Sequence, residues 1–225
     1  CATIDVLSNG RLLPAFGVGS SRSRDYTATG THTRGRGKRA AEGLEILSRL
    51  WSQESVTFKG EFFDLAEATI APRPVQQPLP LWVGGSAKQA VHRTAKWGTG
   101  WQAGLETPEE VEPVIAAIKD TLPQYGRQID EDHYGAGFAF RFGHPDEPIC
   151  KKYNELLSAR LGKDATQLSA IGGVDEMMRL LLRFNEVGVH KFILRPIAAG
   201  TTEYIEQTQQ FIEQLQPAIK RLNHD

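Results

Sequence analysis

The stretch Leu81-Trp82-Val83-Gly84-Gly85-Ser86-Ala87 decides how the rest of the chain is interpreted. Its apolar start predicts a short buried strand, and Ala87 to Trp97 predicts a helix that Gly98 stops. Glycines let a ligand approach the backbone closely, and a helix start presents free N–H groups at the positive end of its dipole. The stretch favours phosphate binding, and an ordinary tight turn between strand and helix is the competing interpretation. A P-loop is excluded because no Gly-Lys-Ser/Thr follows at the right spacing.

Short apolar runs alternate with longer amphipathic stretches on both sides of this turn. We predict parallel neighbouring strands, in this order, near residues 12–18, 81–84, 100–103, 134–141 and 191–195. Helices are predicted between and after them, at 37–52, 87–97, 107–122, 148–161, 174–187 and 202–222. Such alternation implies an α/β fold with a parallel sheet. Five strands suit either an open doubly wound sheet or the last five units of an eight-unit barrel.

Two further features complete this outline. A hairpin insertion is expected over about residues 54–80, with its turn near Lys59-Gly60 and a proline-rich connector after it. Pro217 should kink or divide the last helix, because proline cannot donate a helical hydrogen bond. No repeat, linker or composition shift marks a boundary, so residues 1–225 are expected to form a single domain.

A second glycine-rich turn, Gly17-Val18-Gly19-Ser20-Ser21-Arg22, follows the first predicted strand. Its hydroxyls and its arginine would suit an anion. No helix-forming segment follows directly, so a flexible polar loop over residues 20–37 is the plainer interpretation. This loop and the start of the next helix carry a basic cluster, most of it expected to be solvated: Arg22, Arg24, Arg34, Arg36, Lys38 and Arg39.

Composition and charge exclude several classes of protein. The chain has 225 residues with 26 Lys and Arg against 27 Asp and Glu, a net charge of −1. It therefore has no global field that would attract nucleic acid or an anionic membrane surface. Two cysteines cannot form a disulfide framework or a four-cysteine zinc site. No apolar run is long enough to span a membrane and no signal peptide is visible, so the expected location is the cytoplasm.

Other chemistry-bearing residues have plain structural interpretations. The six histidines do not stand at metal-ligand spacing, so no metal site is predicted. Cys150 is interpreted as structural, and Met177 and Met178 as core residues. Trp101 stands at the end of a predicted strand, where core packing is favoured over stacking on a ring system.

Several motifs together resemble the bacterial luciferase-like flavin-dependent oxidoreductases. The resemblance covers nearly the whole chain in order and spacing. It is carried by Thr3-Ile4-Asp5-Val6-Leu7-Ser8-Asn9-Gly10-Arg11, Phe16-Gly17-Val18-Gly19, Phe58-Lys59-Gly60-Glu61-Phe62-Phe63, Pro72-Arg73-Pro74-Val75-Gln76, Pro80-Leu81-Trp82-Val83-Gly84-Gly85, Gly98-Thr99-Gly100-Trp101 and Ile171-Gly172-Gly173-Val174-Asp175-Glu176.

This resemblance implies a TIM-type (β/α)8 barrel that binds FMN, or a deazaflavin coenzyme of the F420 type, at the carboxyl ends of its strands. It implies that Gly84, Gly85, Ser86 and Ala87 hold the flavin phosphate, and that Ser20 and Ser21 assist from the loop after the earlier strand. The implied activity is that of an oxidoreductase or monooxygenase acting on a small organic substrate that the motifs do not identify. No catalytic residue is named.

The chain also departs from the family pattern. Family members carry about three further β/α units before the motif that stands here at the N-terminus. Residues 1–8 are therefore expected to be the tail of the third helix, with the last five of eight units following. Much of the substrate pocket, and the catalytic histidine that some members use, would precede residue 1. We expect the isolated chain to be a poor catalyst that self-associates through its open strand edges.

Two other interpretations remain open. The first is a non-catalytic flavin-binding or structural remnant of such a barrel, and it is motivated by the missing units. The second is a doubly wound domain that binds another phosphate compound, and the proline-rich hairpin insertion speaks against it.

Overall fold

The computed structural model describes residues 1–21 and 23–222. The chain divides into two compact units. Unit one consists of Cys1–Gln102 and Val114–His133, and unit two consists of Ala103–Pro113 and Tyr134–Asp225.

Unit one holds the N-terminal helix, a parallel sheet with its helices, and a hairpin. Its elements are α1 (Ala2–Leu7), β1 (Ala15–Phe16), α2 (Arg24–Ala28), α3 (Arg36–Ser52), β2 (Val56–Lys59), β3 (Asp64–Ala68), β4 (Trp82–Gly84), α4 (Lys88–Trp97) and β5 (Gly100–Gln102). The next helix, α5 (Pro108–Thr121), begins in unit two and ends in unit one. The helix predicted for residues 1–8 is confirmed by α1.

The sheet of unit one runs β1–β4–β5, and both pairs are parallel. Phe16 stands opposite Val83, and Val83 stands opposite Trp101. The predicted order of the first three strands is thus confirmed. The first strand is shorter than predicted, because Pro14 has no N–H and contributes only its carbonyl, which accepts the Trp82 N–H at 3.0 Å.

Helix α3 packs its apolar stripe onto this sheet. Leu44 and Trp51 are buried together with Leu81 and Val83, and Phe16 packs against the same cluster. The spacing of three and four residues along α3 places its apolar side chains on one face. This packing holds α3 against β1 and β4.

The predicted hairpin is formed by the antiparallel strands β2 and β3. Its turn is held by one carboxylate of α3. Glu42 accepts the backbone N–H groups of Glu61, Phe62 and Phe63 at 2.8, 2.9 and 3.2 Å. The hairpin is therefore anchored on the same helix that covers the sheet.

The loop predicted to be flexible after β1 contains the short helix α2. Ser23 is its N-cap, and the Ser23 hydroxyl accepts the Asp25 N–H at 3.3 Å. The hydroxyl of Tyr26 donates to the Val18 carbonyl and so ties α2 back to the end of β1. A serine cap followed by an acidic residue was the signal that sequence reasoning overlooked.

Unit two is built around one long strand. Its elements after α5 are β6 (Tyr134–Phe142), α6 (Pro148–Leu161), β7 (Ser169–Gly172), α7 (Val174–Glu186), β8 (Lys191–Pro196), α8 (Thr201–Gln210) and α9 (Gln216–Leu222). Strand β6 pairs in parallel with β8, as predicted, and also with β7. Strand β7 was not predicted, because it has only four residues and ends in Gly172, and glycine gives no strand signal.

Aromatic packing forms part of the core of unit two. The Phe138 and Phe184 rings stack with their centroids 6.1 Å apart, and Phe192 meets both rings edge-on. Met177 is fully buried and Met178 is half-buried, which confirms both as core residues. Cys150 is also fully buried, as expected of a structural cysteine.

The C-terminal helix is divided as predicted. A π-helical turn, Phe211–Leu215, separates α8 from α9 and ends two residues before Pro217. Proline removes one helical donor and crowds the carbonyl four residues earlier, so a widened turn before it relieves the clash. Across residues 1–21 and 23–222, no helix is long and apolar enough to cross a membrane.

Candidate functional site

The Gly84–Ala87 turn lies where β4 ends and α4 begins. Gly85 has φ +106°, a conformation that side-chain-bearing residues rarely adopt, and a Cβ there would approach the Ala90 Cβ to 3.3 Å. Gly84 differs, because a Cβ at Gly84 would make only an ordinary contact at 3.5 Å with the Gln102 carbonyl. Gly85, Ser86 and Ala87 are all exposed. The backbone of the turn is therefore open to a ligand.

Helix α4 starts without a side-chain cap. The Ala87 carbonyl accepts the N–H groups of Ala90 and Val91 at 2.7 and 3.1 Å, and the first turn carries no acidic residue. Amides in the first turn of a helix have no partner inside the helix, and they lie at the positive end of its dipole. Such a helix start is suited to an anion.

Trp101 holds this turn from the neighbouring strand. Its ring is fully buried, which confirms the core assignment, and its indole N–H donates to the Gly85 carbonyl at 3.0 Å. The bond fixes the orientation of the peptide that follows Gly85. Sequence reasoning missed this role, because it depends on the register that sets Trp101 opposite Val83.

Ser20 and Ser21 follow β1 and are exposed. Because β1 and β4 are parallel neighbours, both glycine-rich turns leave the sheet at the same edge. The Ser20 carbonyl accepts the Ser23 N–H at 3.0 Å, and this bond closes the turn into α2. The loop that holds Ser20 and Ser21 thus leaves the sheet at the same edge as the Gly84–Ala87 turn. Their contact with a ligand stays a prediction.

A cavity of about 350 Å³ opens between this edge of the sheet, α3 and α4. Its walls include apolar residues of the sheet and of α3, three arginines and one histidine. It is lined by Phe16, Gly17, Val18, Tyr26, Thr31, His32, Arg36, Arg39, Ala40, Gly43, Leu44, Leu47, Phe63, Val83, Gly84 and Arg93. Gly84 belongs to both the cavity and the turn, so the two features are continuous.

The Asp of the N-terminal motif is an anchor for the proline-rich connector. Asp5 is fully buried and accepts the backbone N–H groups of Val75 and Gln76 at 2.8 and 3.0 Å, and the Gln76 side-chain amide at 2.6 Å. Burial by itself raises the pKa of Asp5, but these bonds outweigh it, and the pKa lies below its ordinary value. The role of this motif residue is structural.

One cluster with metal-ligand side chains occurs in the described part of the chain. Asp130, Asp132 and His133 have ligand atoms within 4.8 Å of one another. Both aspartates are exposed, and Nδ1 of His133 lies 2.8 Å from the Thr99 carbonyl, a partner to which it can donate. Exposed acidic groups of this kind are common without an ion. The expectation of no metal site stays a prediction.

In unit two, the carboxyl end of β6 carries a different charged group. Arg141 donates to Glu147 at 2.7 Å, to Glu203 at 2.6 Å and to the Ile197 carbonyl at 2.8 Å. These bonds tie the loop after β6 to the segment after β8. Burial raises the pKa of the nearby Cys150 thiol, which favours the inert protonated form.

Sequence comparison places the chain in a family. The sequence profile of the luciferase-like monooxygenases matches residues 1–214. The chain belongs to the luciferase-like monooxygenase family. The family resemblance inferred from the motifs is thereby confirmed.

Relatives within the luciferase-like family include deazaflavin-dependent proteins. An F420-dependent glucose-6-phosphate dehydrogenase of Kineococcus radiotolerans is 29% identical over 187 residues, which make up 80% of this chain and 53% of the relative. The chain thus spans about half the length of this curated relative.

Solved structures of the luciferase-like family share the fold. An F420-dependent secondary alcohol dehydrogenase in complex with an F420-acetone adduct matches 95% of this chain and 72% of its own, with a TM-score of 0.76 at 19% identity. A riboflavin lyase with modified FMN and substrate riboflavin matches 99% of this chain and 66% of its own, with a TM-score of 0.73 at 15% identity. An α/β fold with a mainly parallel sheet is therefore common to them all, and both cofactors occur among the matched proteins.

Proposed function

We propose that the chain forms the cofactor-binding part of an oxidoreductase that uses FMN or F420 on a small organic substrate. In this proposal its parallel strands, six rather than the five predicted from sequence, are the C-terminal part of an eight-stranded TIM-type barrel. The phosphate of the cofactor lies on the amides of Gly85, Ser86 and Ala87. The observation that carries the proposal is the exposed, uncapped start of α4 directly after the open backbone of Gly85.

The residues of this region fit a phosphate-bearing cofactor. Gly85 lets the ligand approach, the first turn of α4 supplies donors, and Trp101 holds the Gly85 peptide in place. Arg36, Arg39 and Arg93 line the adjoining cavity, and no carboxylate is among the residues that line it in the described ranges. This donor set suits a phosphate and would repel a cation.

In the mechanism we propose, the protein binds and orients, and the cofactor supplies the redox chemistry when it is bound. The α4 amides fix one end of the cofactor, and the apolar side chains of Phe16 and Val83 keep water from the base of the cavity. A small organic substrate with a hydroxyl or carbonyl group suits this chemistry, as the names of the alcohol and glucose-6-phosphate dehydrogenases illustrate. No acid or base is assigned among the described residues.

A binding titration tests this proposal. Purified protein is titrated with FMN and separately with F420, and binding is followed by the change in cofactor fluorescence. We expect saturable binding of one of the two cofactors at a ratio near one per chain. If neither cofactor binds, the proposed function is wrong. If one binds, reduction of that cofactor by a panel of secondary alcohols and sugar phosphates then identifies the reaction.

A further inference from the structure

The parallel strands of unit two present two different faces. Phe138 of β6 stacks on Phe184 of α7, so this side chain lies on the face that the helices cover. Side chains alternate along a strand, and Ala139 therefore lies on the other face. The register sets Ser169 of β7 and Arg195 of β8 opposite Ala139. Ser169, Ala139 and Arg195 thus form one row across three strands, on the face turned away from α7.

Arg195 is an exposed arginine near the carboxyl end of β8. Its side chain makes no hydrogen bond or ion pair within residues 1–21 and 23–222. Arg141 stands two residues after Ala139 on β6 and therefore on the same face, but it donates to Glu147 and Glu203. In the described ranges the protein supplies acidic partners for Arg141 and none for Arg195. An arginine placed in this way is available to bind an anion from solution.

Helix α6 brings two polar residues to the same row. The Ser169 hydroxyl donates to the side-chain oxygen of Asn154 at 3.2 Å, and this bond holds α6 against β7. Tyr153, the preceding residue, is half-buried and packs against the buried cluster that contains Leu157. No residue in the described part of the chain forms a hydrogen bond with the Tyr153 hydroxyl. Arg195 and Tyr153 therefore both carry polar groups that a ligand could pair.

The charge of Arg195 acts on the phenol of Tyr153. Burial raises the pKa of Tyr153, and the nearby charges of Arg195 and Arg160 oppose this rise. The phenol is therefore protonated at neutral pH and can donate a hydrogen bond. Arg160 is stabilised where it stands, because it lies in the last turn of α6, at the negative end of the helix dipole. One cation, Arg195, and one donor, Tyr153, are left for a ligand.

We propose that Arg195 and Tyr153 form a subsite that binds a carboxylate group of the substrate. The planar fork of an arginine donates two parallel hydrogen bonds to the two oxygens of a carboxylate. A single arginine also balances the single charge of that group, whereas a phosphate group carries a larger charge. The inference rests on the proposed function, because the carboxyl ends of barrel strands hold the substrate. It narrows the small organic substrate to a carboxylic acid.

The test compares ligands that differ only in the carboxylate. Lactate, 3-hydroxybutyrate and mandelate are each compared with the amide of the same skeleton by calorimetric titration, without cofactor and with FMN or F420 present. We expect wild type to bind at least one acid roughly tenfold or more tightly than its amide, because a bond between charged groups is gained. Arg195→Met should reduce this preference to within about twofold. If wild type prefers none of the acids, the proposed subsite does not exist.

Arg179→Met is the matched control. Arg179 is also an exposed arginine, but it stands on α7, which packs on the other face of the sheet. This variant removes the same charge and should leave the preference for the acid within about twofold of wild type. Arg195→Lys should keep part of the preference, since it keeps the charge without the fork. Tyr153→Phe should lower the preference about fivefold, and it is the second test variant if circular dichroism shows that Arg195→Met does not fold.

The remaining outcomes are separated by inorganic phosphate and by the cofactors. If wild type prefers no acid and Arg195→Met weakens the binding of inorganic phosphate, the subsite takes a phosphate group and the carboxylate assignment is wrong. If a folded Arg195→Met keeps the wild-type preference for an acid, Arg195 does not bind the carboxylate and the inference is wrong. Failure of the proposed function looks different, since wild type would then bind neither FMN nor F420, whether or not it prefers an acid.

Discussion

Two buried arginines, Arg141 near the carboxyl end of β6 and Arg93 on α4, differ in whether the protein supplies their partners. Arg141 in unit two is paired with Glu147 and Glu203 and donates to a backbone carbonyl. Arg93 in unit one is equally buried and has no partner in the described ranges. Hydrogen bonds to both glutamates raise the pKa of Arg141 despite its burial, whereas burial lowers the pKa of Arg93. Arg141 therefore has its counter-charges within the protein, and Arg93 has none among the described residues.

The largest effect expected from this comparison concerns stability. Arg141→Met leaves two carboxylates and the Ile197 carbonyl without their donor, and it should lower the free energy of unfolding by about 2–4 kcal/mol. Arg93→Met removes no bond and relieves an unpaired charge, so we expect a change within about 1 kcal/mol in the absence of ligand. Urea unfolding of both variants measures the difference. Equal losses would contradict the contrast between the two arginines.

The next effect concerns the two glycines of the Gly84–Ala87 turn, on which the cofactor phosphate is proposed to lie. Gly85→Val places a branched side chain at φ +106° and against Ala90, a strain of about 1–3 kcal/mol that should distort the turn. We expect the Kd for the cofactor to rise about tenfold or more. Gly84→Ala is the control, because its Cβ fits at an ordinary distance. If a folded Gly85→Val variant binds the cofactor as tightly as wild type, the turn is not part of the cofactor-binding site.

A smaller effect is expected at the residue that holds the turn. Trp101→Phe keeps an apolar ring and removes the hydrogen bond to the Gly85 carbonyl. Loss of this bond should lower the free energy of unfolding by about 1 kcal/mol. If Trp101 positions the turn, the Kd for the cofactor should rise by about the corresponding fivefold. Trp97→Phe is the matched control, since Trp97 packs against the core at the C-terminal end of α4, the opposite end of the helix from the turn. A stability loss with no change in cofactor affinity would assign Trp101 to the core alone.

Local sequence patterns predicted those features that depend on neighbouring residues. The glycine pair and the helix start at Gly84–Ala87 are read directly from consecutive residues, and so are the helix at Val174 and the division before Pro217. Features that depend on distant partners could not be predicted. The bond from Trp101 to Gly85 depends on the strand register. The lack of an acidic partner for Arg93 among residues 1–21 and 23–222 depends on which side chains line the cavity.

The contacts of Asp5 are another feature that local patterns do not indicate. Asp5 stands in the segment that most resembles the family, yet it binds the amides of Val75 and Gln76 across a long sequence separation. Nothing in its own segment indicates that partner. Strand β7 was missed for a similar reason. Its four residues form a strand because they pair with the end of β6, and their own sequence does not indicate that pairing.

The smallest predicted effect is a pH dependence of the structural arginine cluster. The Ala199 N–H and then Arg141 lower the pKa of Glu203 below its ordinary value. The pKa of Glu147 is likewise lowered, by the His144 N–H and then by Arg141. A carboxyl group with a lowered folded-state pKa stabilises the fold above its unfolded pKa, about 4.3 for glutamate. That stabilisation is lost as the pH falls through the lower folded value.

Glu203→Gln should therefore be less stable than wild type at neutral pH. The difference in the free energy of unfolding between the two proteins should stay constant down to about pH 5 and become smaller below about pH 4. Urea midpoints measured across this range provide the check. Glu206→Gln on the same helix is the control, because Glu206 is exposed. The urea midpoints of this variant should change with pH in the same way as those of wild type. If the difference in stability between wild type and Glu203→Gln becomes larger as the pH falls, the Glu203 carboxylate does not stabilise the fold through Arg141. The contrast with Arg93 would then rest on Glu147 alone, which also accepts hydrogen bonds from Arg141.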